Sequence, residues 1–272
     1  MDLGLRDRHA LVLGGSAGIG RAVAMALGAE GARVSLVGRH RERVEDTARA
    51  VTASWGTALG RIGPHPGPAL GVLADLTAPG MPEEAVQQAR ERFGPVDIVV
   101  LNGGGPPRGT AATLGTREVD ALTALLLRPP VAVLGLVVPG MRARGWGRVV
   151  AVGSSGIAQP IPGLAASNVG RAALAGYLKT LAAEVATDGV TVNLVLPGRI
   201  RTGRVEQIDH ARAQESGRTP EQERDRSEAG IPAGRYGRPE EFAAVVAFLA
   251  GEPASYVTGS QIRCDGGLIG GH

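Results

Sequence analysis

The stretch Gly14-Gly15-Ser16-Ala17-Gly18-Ile19-Gly20 decides the fold of this chain. A short apolar run over 9–13 precedes it and predicts a strand. After it, an apolar residue recurs at every fourth position, at Ile19, Val23 and Leu27, which predicts a helix. Glycine lets a chain turn tightly and lets its backbone approach another group closely. The stretch therefore predicts a strand–turn–helix unit with an anion site at the helix N-terminus.

The rest of the chain repeats this alternation of short apolar runs and amphipathic segments. Further helices are predicted over 168–187 and 240–250. Apolar strands that alternate with helices are typical of a parallel sheet covered on both faces. We therefore predict an α/β fold, a single Rossmann-fold domain over 1–272 with a doubly wound, seven-stranded parallel sheet and helices on both faces. The six further strands are predicted over 33–37, 70–74, 96–101, 148–152, 190–196 and 261–264.

The composition excludes several classes of protein. The charges nearly balance, at 29 Lys and Arg against 26 Asp and Glu, and the 3% of aromatic residues form no basic stripe, so no nucleic acid partner is expected. A single cysteine, Cys264, and five widely spaced histidines give neither a disulfide framework nor a metal site. The longest apolar region, 121–138, is broken by Arg128-Pro129-Pro130, and no leader-like segment is found. We expect a cytoplasmic protein without a membrane span.

Two stretches interrupt the regular alternation. The Gly-, Pro- and Ala-rich segment 53–68 is interpreted as a surface loop. The segment 203–238 is dense in charges of both signs and follows a strand, at the edge where ligands bind in such sheets. We interpret it as a helical excursion that acts as a lid over the substrate.

Four more motifs accompany the glycine stretch and extend over nearly the whole chain. They are Ala74-Asp75-Leu76, Leu101-Asn102-Gly103-Gly104, Pro197-Gly198-Arg199-Ile200-Arg201-Thr202 and Tyr256-Val-Thr-Gly-Ser260 with Asp265-Gly-Gly267. Together with Gly14-x-x-x-Gly18-x-Gly20, they resemble the short-chain dehydrogenase/reductase family. The resemblance implies that Gly14, Ser16, Gly18, Ile19 and Gly20 bind a dinucleotide, and that Asp75 and Leu76 hold its adenine. It further implies that Asn102, Gly103 and Gly104 line the same site, that Pro197, Gly198, Ile200 and Thr202 cradle the nicotinamide, and that the protein is a homodimer or homotetramer.

The end of the second predicted strand bears on the choice of cofactor. An NAD site usually has an acid here, which accepts a hydrogen bond from the ribose 2′-OH. In this chain Gly38 stands at that position and Arg39 follows. A guanidinium suits a 2′-phosphate, and Arg41 and Arg43 lie nearby. The residues favour NADP(H). Two alternatives remain open, an NAD(H) site and an Arg39 that is only solvated.

The catalytic positions depart from the family pattern. The resemblance implies a serine at Ser154, with Ser155 as its alternative, and a tyrosine and a lysine where Ser167 and Arg171 stand. It places the family's helix asparagine at Leu127. The run around Ser167 and the Asn102–Pro107 segment resemble a 3-oxoacyl-acyl carrier protein reductase-like branch that also lacks the usual Tyr-x-x-x-Lys.

Two hypotheses of different classes follow. In the first, the protein transfers a hydride between NADP(H) and a small carbonyl or alcohol substrate, 3-oxoacyl compounds included. Ser154 then polarises the carbonyl oxygen, a water held by Ser167 supplies the proton, and Arg171 donates to the ribose. In the second, the protein is a catalytically impaired NADP(H)-binding sensor or scaffold. The substrate pocket is predicted from loops 103–112, 153–164 and 199–238, where Arg108 either meets an anionic substrate or is only solvated.

Overall fold

Seven apolar runs form strands in the computed structural model, which describes residues 1–60 and 68–271. Each predicted strand is confirmed, with ends that shift by one or two residues. The strands are β1 (His9–Leu13), β2 (Arg33–Gly38), β3 (Ala69–Leu73), β4 (Ile98–Leu101), β5 (Gly147–Val152), β6 (Val190–Pro197) and β7 (Gln261–Cys264). Within the described residues they form one parallel sheet in the order β3-β2-β1-β4-β5-β6-β7. The predicted seven-stranded parallel sheet is therefore confirmed.

Helices cover both faces of this sheet. They are α1 (Gly18–Ala29), α2 (Arg41–Ser54), α3 (Met81–Phe93), α4 (Thr116–Leu126), α5 (Arg128–Ala143), α6 (Ala165–Val185), α7 (Gly203–Ser216), α8 (Pro220–Ala229) and α9 (Pro239–Ala250). Apolar side chains of α1, α2 and α9 form one core with the sheet, and those of α3, α5 and α6 form another. These two cores make the fold a doubly wound, single Rossmann-type domain, as predicted.

The strand order reverses at β1, which pairs with β2 on one side and β4 on the other. Such a reversal leaves a crevice at the carboxyl ends of the strands, where ligands bind in open α/β sheets. The turns after β1 and β4 meet at this crevice, since Asn102 Nδ2 donates to the Gly14 carbonyl at 3.0 Å. The fold thus brings two of the predicted motifs together.

The opposite, amino-terminal end of the sheet is held by buried polar groups. His9 is only 1% exposed; its Nε2 lies 2.9 Å from Ser35 Oγ and its Nδ1 lies 3.0 Å from the Gly94 carbonyl. Arg148, 2% exposed, donates to main-chain carbonyls and lies 3.6 Å from the Glu252 carboxylate. These contacts fix the end of the sheet that lies away from the ligand crevice.

The segment predicted as a surface loop, 53–68, is partly built into the fold. Trp55 is 8% exposed and its Nε1 donates to the Ala32 carbonyl at 3.1 Å. A short 3₁₀ turn follows at Thr57–Leu59. The prediction of a plain surface loop is therefore wrong for the first part of the segment, because the indole needs both an apolar pocket and an acceptor. Residues 61–67 lie outside the described part of the chain.

One helical stretch, Thr116–Ala143, is long and apolar enough to cross a membrane by length and composition. It consists of α4 and α5, which meet at Leu127 just before the two prolines, as the predicted break requires. Val133, Leu134 and Val137 of α5 are buried in the core beneath the sheet. A core helix passes the same test of length and composition, and the packing of α5 is of that kind.

Candidate active site

The glycine turn between β1 and α1 presents bare backbone to the crevice. Gly14 and Gly18 have φ angles of +59° and +52°, which side-chain-bearing residues rarely adopt. A Cβ on Gly14 would lie 2.7 Å from Asn102 Nδ2, and one on Gly20 would lie 2.1 Å from the Gly14 carbonyl oxygen. Ala17, which precedes α1, offers no side-chain cap to the first turn. The first N–H groups of α1 are therefore available to an anion such as a pyrophosphate.

The end of β2 leaves no room for an acid. A Cβ on Gly38 would lie 2.7 Å from both Ser16 Oγ and Val44 Cγ2. The neighbouring Arg39 is exposed, and its Nη1 lies 4.0 Å from Asp75 Oδ2. Position 38 thus excludes the side chain that would accept a ribose hydroxyl, while an arginine stands beside it.

Asp75 and Leu76 follow β3 on the same side of the crevice. The Thr77 hydroxyl and main-chain N–H donate to Asp75 Oδ1 at 2.8 and 3.1 Å. These hydrogen bonds, and then the Arg39 charge, hold the pKa of Asp75 below its usual range, so that it is ionised at neutral pH. Leu76 packs against the core. Past β4, Gly103 and Gly104 are exposed and have open space where a Cβ would stand.

The segment after β6 reaches the glycine turn from the other side. Gly198 donates to the Cys264 carbonyl at 3.1 Å, and a Cβ there would lie 2.7 Å from Asp265 Cα. Ile200 is 3% exposed. The Thr202 methyl group lies 3.3 Å from the point where a Cβ on Gly18 would stand. The structure thus gathers the predicted cofactor residues around one crevice.

The three predicted catalytic residues lie on two elements, the end of β5 and α6, that Arg171 joins. Ser154 lies just beyond β5 and is half-buried; its Oγ accepts from Gly156 N at 3.0 Å. Ser167 and Arg171 lie one turn apart in α6, which begins three residues earlier than predicted. Arg171 Nη1 donates to the Val152 carbonyl at 2.9 Å, and burial lowers the pKa of this guanidinium. Arg171 therefore ties α6 to the last residue of β5, two residues before Ser154.

None of the three tyrosines of the chain stands at the Ser167 position, and each has another environment. Tyr236 donates to Asp209 Oδ2 at 2.9 Å, Tyr256 is fully exposed, and Tyr177 lies almost three turns beyond Ser167 on α6. The Leu127 position, at the junction of α4 and α5, packs against the core. The part of the chain that the structure describes also holds no cluster of three or more His, Cys, Asp or Glu suited to a metal ion.

Sequence reasoning missed the structural role of Asn168. Its Nδ2 donates to the Ile161 carbonyl at 3.0 Å, and its Oδ1 accepts from Ile161 N at 3.3 Å. Its place beside Ser167 in the sequence could have suggested a positioning role. Its amide fixes the loop between Ser154 and Ser167.

The three loops predicted to line the substrate pocket do meet. Gly109 N donates to the Gly163 carbonyl at 2.9 Å, which joins the loop after β4 to the loop after β5. Arg108 of the first loop forms an ion pair with Glu215 of α7 at 3.2 Å. Arg204 of α7 reaches within 3.8 Å of the Cβ position of Gly105. Helices α7 and α8 thus extend from the edge of the crevice.

Comparisons with known proteins agree on the family. A family model described as enoyl-(acyl carrier protein) reductase matches residues 14–269. The chain is 35% identical over 274 residues to a cyclohexanol dehydrogenase of Rhodococcus sp. (strain TK6), with 98% of both proteins covered. It is 34% identical over 266 residues to the 3-oxoacyl-(acyl-carrier-protein) reductase of Escherichia coli (strain K12), with 98% of this chain and 99% of the relative covered.

A solved structure extends this likeness to three dimensions. The L-sorbose reductase of Gluconobacter frateurii, in complex with NADPH and L-sorbose, superimposes with a TM-score of 0.90 at 31% identity and covers 100% of both chains. These relatives are named as dehydrogenases or reductases, and none supports the sensor or scaffold alternative. With the ordered motifs around one crevice, they establish that the chain belongs to the short-chain dehydrogenase/reductase family of oxidoreductases.

Proposed function

We propose that this protein is an NADP(H)-dependent oxidoreductase that interconverts a small carbonyl compound and its alcohol. The observation that carries the cofactor choice is the end of β2, where Ser16 and Val44 exclude a side chain at Gly38 and Arg39 stands beside it. The L-sorbose reductase that resembles this chain was solved with NADPH, which supports the same choice. NAD(H) is the weaker alternative.

The residues present fit a dinucleotide. The backbone of the glycine turn leaves room that a Cβ would fill, and the uncapped start of α1 offers donors for the pyrophosphate. Arg39 would hold the 2′-phosphate, and Asp75 with Leu76 would hold the adenine. The other residues that we assign to the cofactor are Gly14, Ser16, Gly18, Ile19, Gly20, Asn102, Gly103, Gly104, Arg171, Pro197, Gly198, Ile200 and Thr202. When bound, the cofactor supplies the hydride for the carbonyl carbon.

Ser154 is the residue that we assign to the carbonyl oxygen. Its Oγ already accepts a hydrogen bond from Gly156 N, so its own O–H remains free to donate. Ser167 is one turn ahead of Arg171 on α6 and too short to replace a tyrosine hydroxyl directly. We therefore propose that Ser167 holds a water molecule and that this water gives the proton, because a donor can act through one water.

Arg171 has a fixed role as a cation. One of its nitrogens donates to the Val152 carbonyl, and the remaining donors of the fork are left for the ribose hydroxyls. Because a guanidinium does not release a proton near neutral pH, Arg171 stabilises and positions but does not act as the acid.

Further parts of the proposal concern the surface. Helices α7 and α8 would act as the lid over the substrate. Exposed Val119, Val131 and Val169 on α4, α5 and α6 suit an interface of a homodimer or homotetramer. We also propose that the protein works in the cytoplasm without membrane partners, since Arg128-Pro129-Pro130 breaks its longest apolar region, and without nucleic acid partners, since its charges nearly balance.

The test is NADPH oxidation with a panel of ketones that includes a 3-oxoacyl thioester. Wild type should oxidise NADPH with at least one of them, and Ser154→Ala should lower kcat by about 100-fold with unchanged NADPH affinity, as expected for loss of a donor to a developing oxyanion. Ser155→Ala is the matched control. Full activity in folded Ser154→Ala, or loss of activity only in Ser155→Ala, would refute the assignment of Ser154.

A further inference from the structure

Arg199 is an unusual cation in the segment that follows β6. It directly follows Gly198 in the segment that reaches the glycine turn, and it is half-buried. Within residues 1–60 and 68–271, its side chain has neither a hydrogen bond nor an ion pair. The neighbouring Arg201, by contrast, is exposed and lies 3.9 Å from the Glu228 carboxylate. Burying a charge without a partner costs free energy, so such a group is a candidate for binding a ligand of opposite charge.

The charges that face Arg199 leave an excess of positive charge. Burial, and then repulsion from Arg212, lowers the pKa of Arg199, and Arg108 acts in the same direction. The acid whose charge acts on Arg199 is Asp209; its Oδ2 accepts from the Tyr236 hydroxyl, and its Oδ1 is buried without a hydrogen bond. The charge of Arg108 is matched by Glu215 at 3.2 Å. Of the charges that act on Arg199, two are cations, Arg212 and Arg108, and one is a carboxylate, Asp209, so positive charge predominates around it.

Arg108 borders one of the loops predicted to line the substrate pocket. Arg108 Nη2 lies 3.6 Å from the point where a Cβ on Gly163 would stand, on the loop between Ser154 and Ser167. Arg199 comes from the segment that contacts the glycine turn, and Arg212 comes from α7. The charges of Arg108 and Arg212 thus act on Arg199 from two other parts of the chain.

We propose that the carbonyl substrate carries an anionic group, a carboxylate or a phosphate, and that Arg199 binds it. Arg108 and Arg212 add to the attraction. The planar fork of a guanidinium matches both oxyanions with two parallel hydrogen bonds, and in a partly desolvated place such bonds are stronger than in water. This inference rests on the proposed function, because it names the substrate class of the same site.

The experiment is calorimetric titration of the NADP⁺-loaded protein, in which no hydride can be transferred to a carbonyl ligand. The probes are acetoacetate with its methyl ester, and dihydroxyacetone phosphate with dihydroxyacetone. In each pair the members differ in the anionic group, and comparison of the pairs distinguishes a carboxylate site from a phosphate site. At least one anion should bind about tenfold or more tightly than its neutral partner, as expected for a charge-assisted contact.

Variants of single arginines test whether Arg199 causes this difference in affinity between the anionic and the neutral probes. Arg199→Gln should remove the preference for the anion and leave the affinity for NADP⁺ unchanged, whereas Arg199→Lys should keep part of the preference. Arg201→Gln, two residues away, is the matched control and should behave as wild type. Arg212→Gln, which changes α7 alone, should weaken anion binding by about two- to fivefold, the effect of a nearby but indirect charge. It also serves as the test if Arg199→Gln does not fold.

Three results would overturn the inference. They are equal affinity for the charged and neutral members of both pairs, an equal loss in Arg201→Gln and Arg199→Gln, and, where Arg199→Gln does not fold, unchanged anion affinity in Arg212→Gln. Failure of the proposed function would be seen elsewhere, as absent NADP⁺ binding or absent NADPH oxidation with every ketone. The two failures are therefore distinguishable.

Discussion

Replacement of Arg39 by alanine should reduce the preference for NADPH over NADH. A charge-assisted hydrogen bond to a phosphate contributes about 1.5–3 kcal/mol. The Arg39 side chain is 64% exposed, so we take the lower end, about 1.5 kcal/mol, or roughly tenfold in affinity. Its contact with Asp75, at 4.0 Å between two exposed groups, is a surface pair worth less than about 1 kcal/mol. Breaking the contact between Arg39 and Asp75 when the 2′-phosphate binds therefore removes little of the free energy that Arg39 contributes to NADPH binding.

The assay is fluorescence titration of both reduced nucleotides against wild type, Arg39→Ala and Arg41→Ala. Arg41 is a matched control because its side chain is 70% exposed and already lies 3.6 Å from Glu45 in its own helix. Arg39→Ala should weaken NADPH binding about tenfold and leave NADH binding unchanged. Arg41→Ala should change neither.

Two results would refute this reasoning. If NADPH and NADH lose affinity equally in Arg39→Ala, the arginine acts on the fold and not on the 2′-phosphate. If wild type binds NADH as tightly as NADPH, the packing at Gly38 excludes an acid without creating a phosphate site.

Three other predictions concern the glycine turn, the altered catalytic pair and the buried end of the sheet. Gly14→Val should abolish NADPH binding, because φ is +59° and a Cβ would meet Asn102 at 2.7 Å; unchanged affinity in the folded variant would mean that the turn is only structural. Ser167→Tyr with Arg171→Lys should raise ketone reduction by about tenfold or more, since general acid catalysis contributes roughly 10²–10⁴-fold, and Ser167→Tyr alone should do less. A folded, NADPH-binding double variant that is slower than wild type would show that the native site already holds an effective acid. Burial lowers the pKa of His9 in the folded protein below 6.5. As the pH falls below about 6.5, the imidazole is therefore protonated in the unfolded chain before it is protonated in the folded one. The free energy of unfolding should then decrease, by at most about 1.4 kcal/mol per pH unit. Urea unfolding between pH 7.5 and 5.5 should show a shallower pH dependence in His9→Gln, and an equal slope in both proteins would contradict the assignment.

The strands and the glycine turn could be predicted because their signals are local. Runs of Val, Leu and Ile bounded by glycine favour buried parallel strands whatever their neighbours, and all seven predicted strands form. The start of α6 was placed three residues late, because Ala165 and Ala166 carry no periodic signal of their own. Helix ends depend on contacts that the local sequence does not contain.

The features that required the structure depend on residues far apart in the chain. The sequence shows that Gly38 stands where an NAD site usually has an acid. The close packing of Ser16 and Val44 around position 38 appears only in three dimensions. Arg171 looked like a ribose donor, yet one of its nitrogens is used by the Val152 carbonyl. In the sequence, Arg199 is only one residue of the Pro197–Thr202 motif. Its lack of a partner becomes visible once the surrounding loops are in place.

The contact between Thr202 and Gly18 predicts the order in which ligands bind. Thr202 immediately precedes α7, and its methyl group lies 3.3 Å from the Cβ position of Gly18 in the glycine turn. We expect a nucleotide that occupies the turn to support Thr202, and with it the start of α7, the helix that we propose as part of the lid. A substrate that arrives first would lack this support. We expect compulsory addition, with the dinucleotide first and released last. In product-inhibition kinetics, NADP⁺ should then compete with NADPH, and the alcohol should not compete with the ketone.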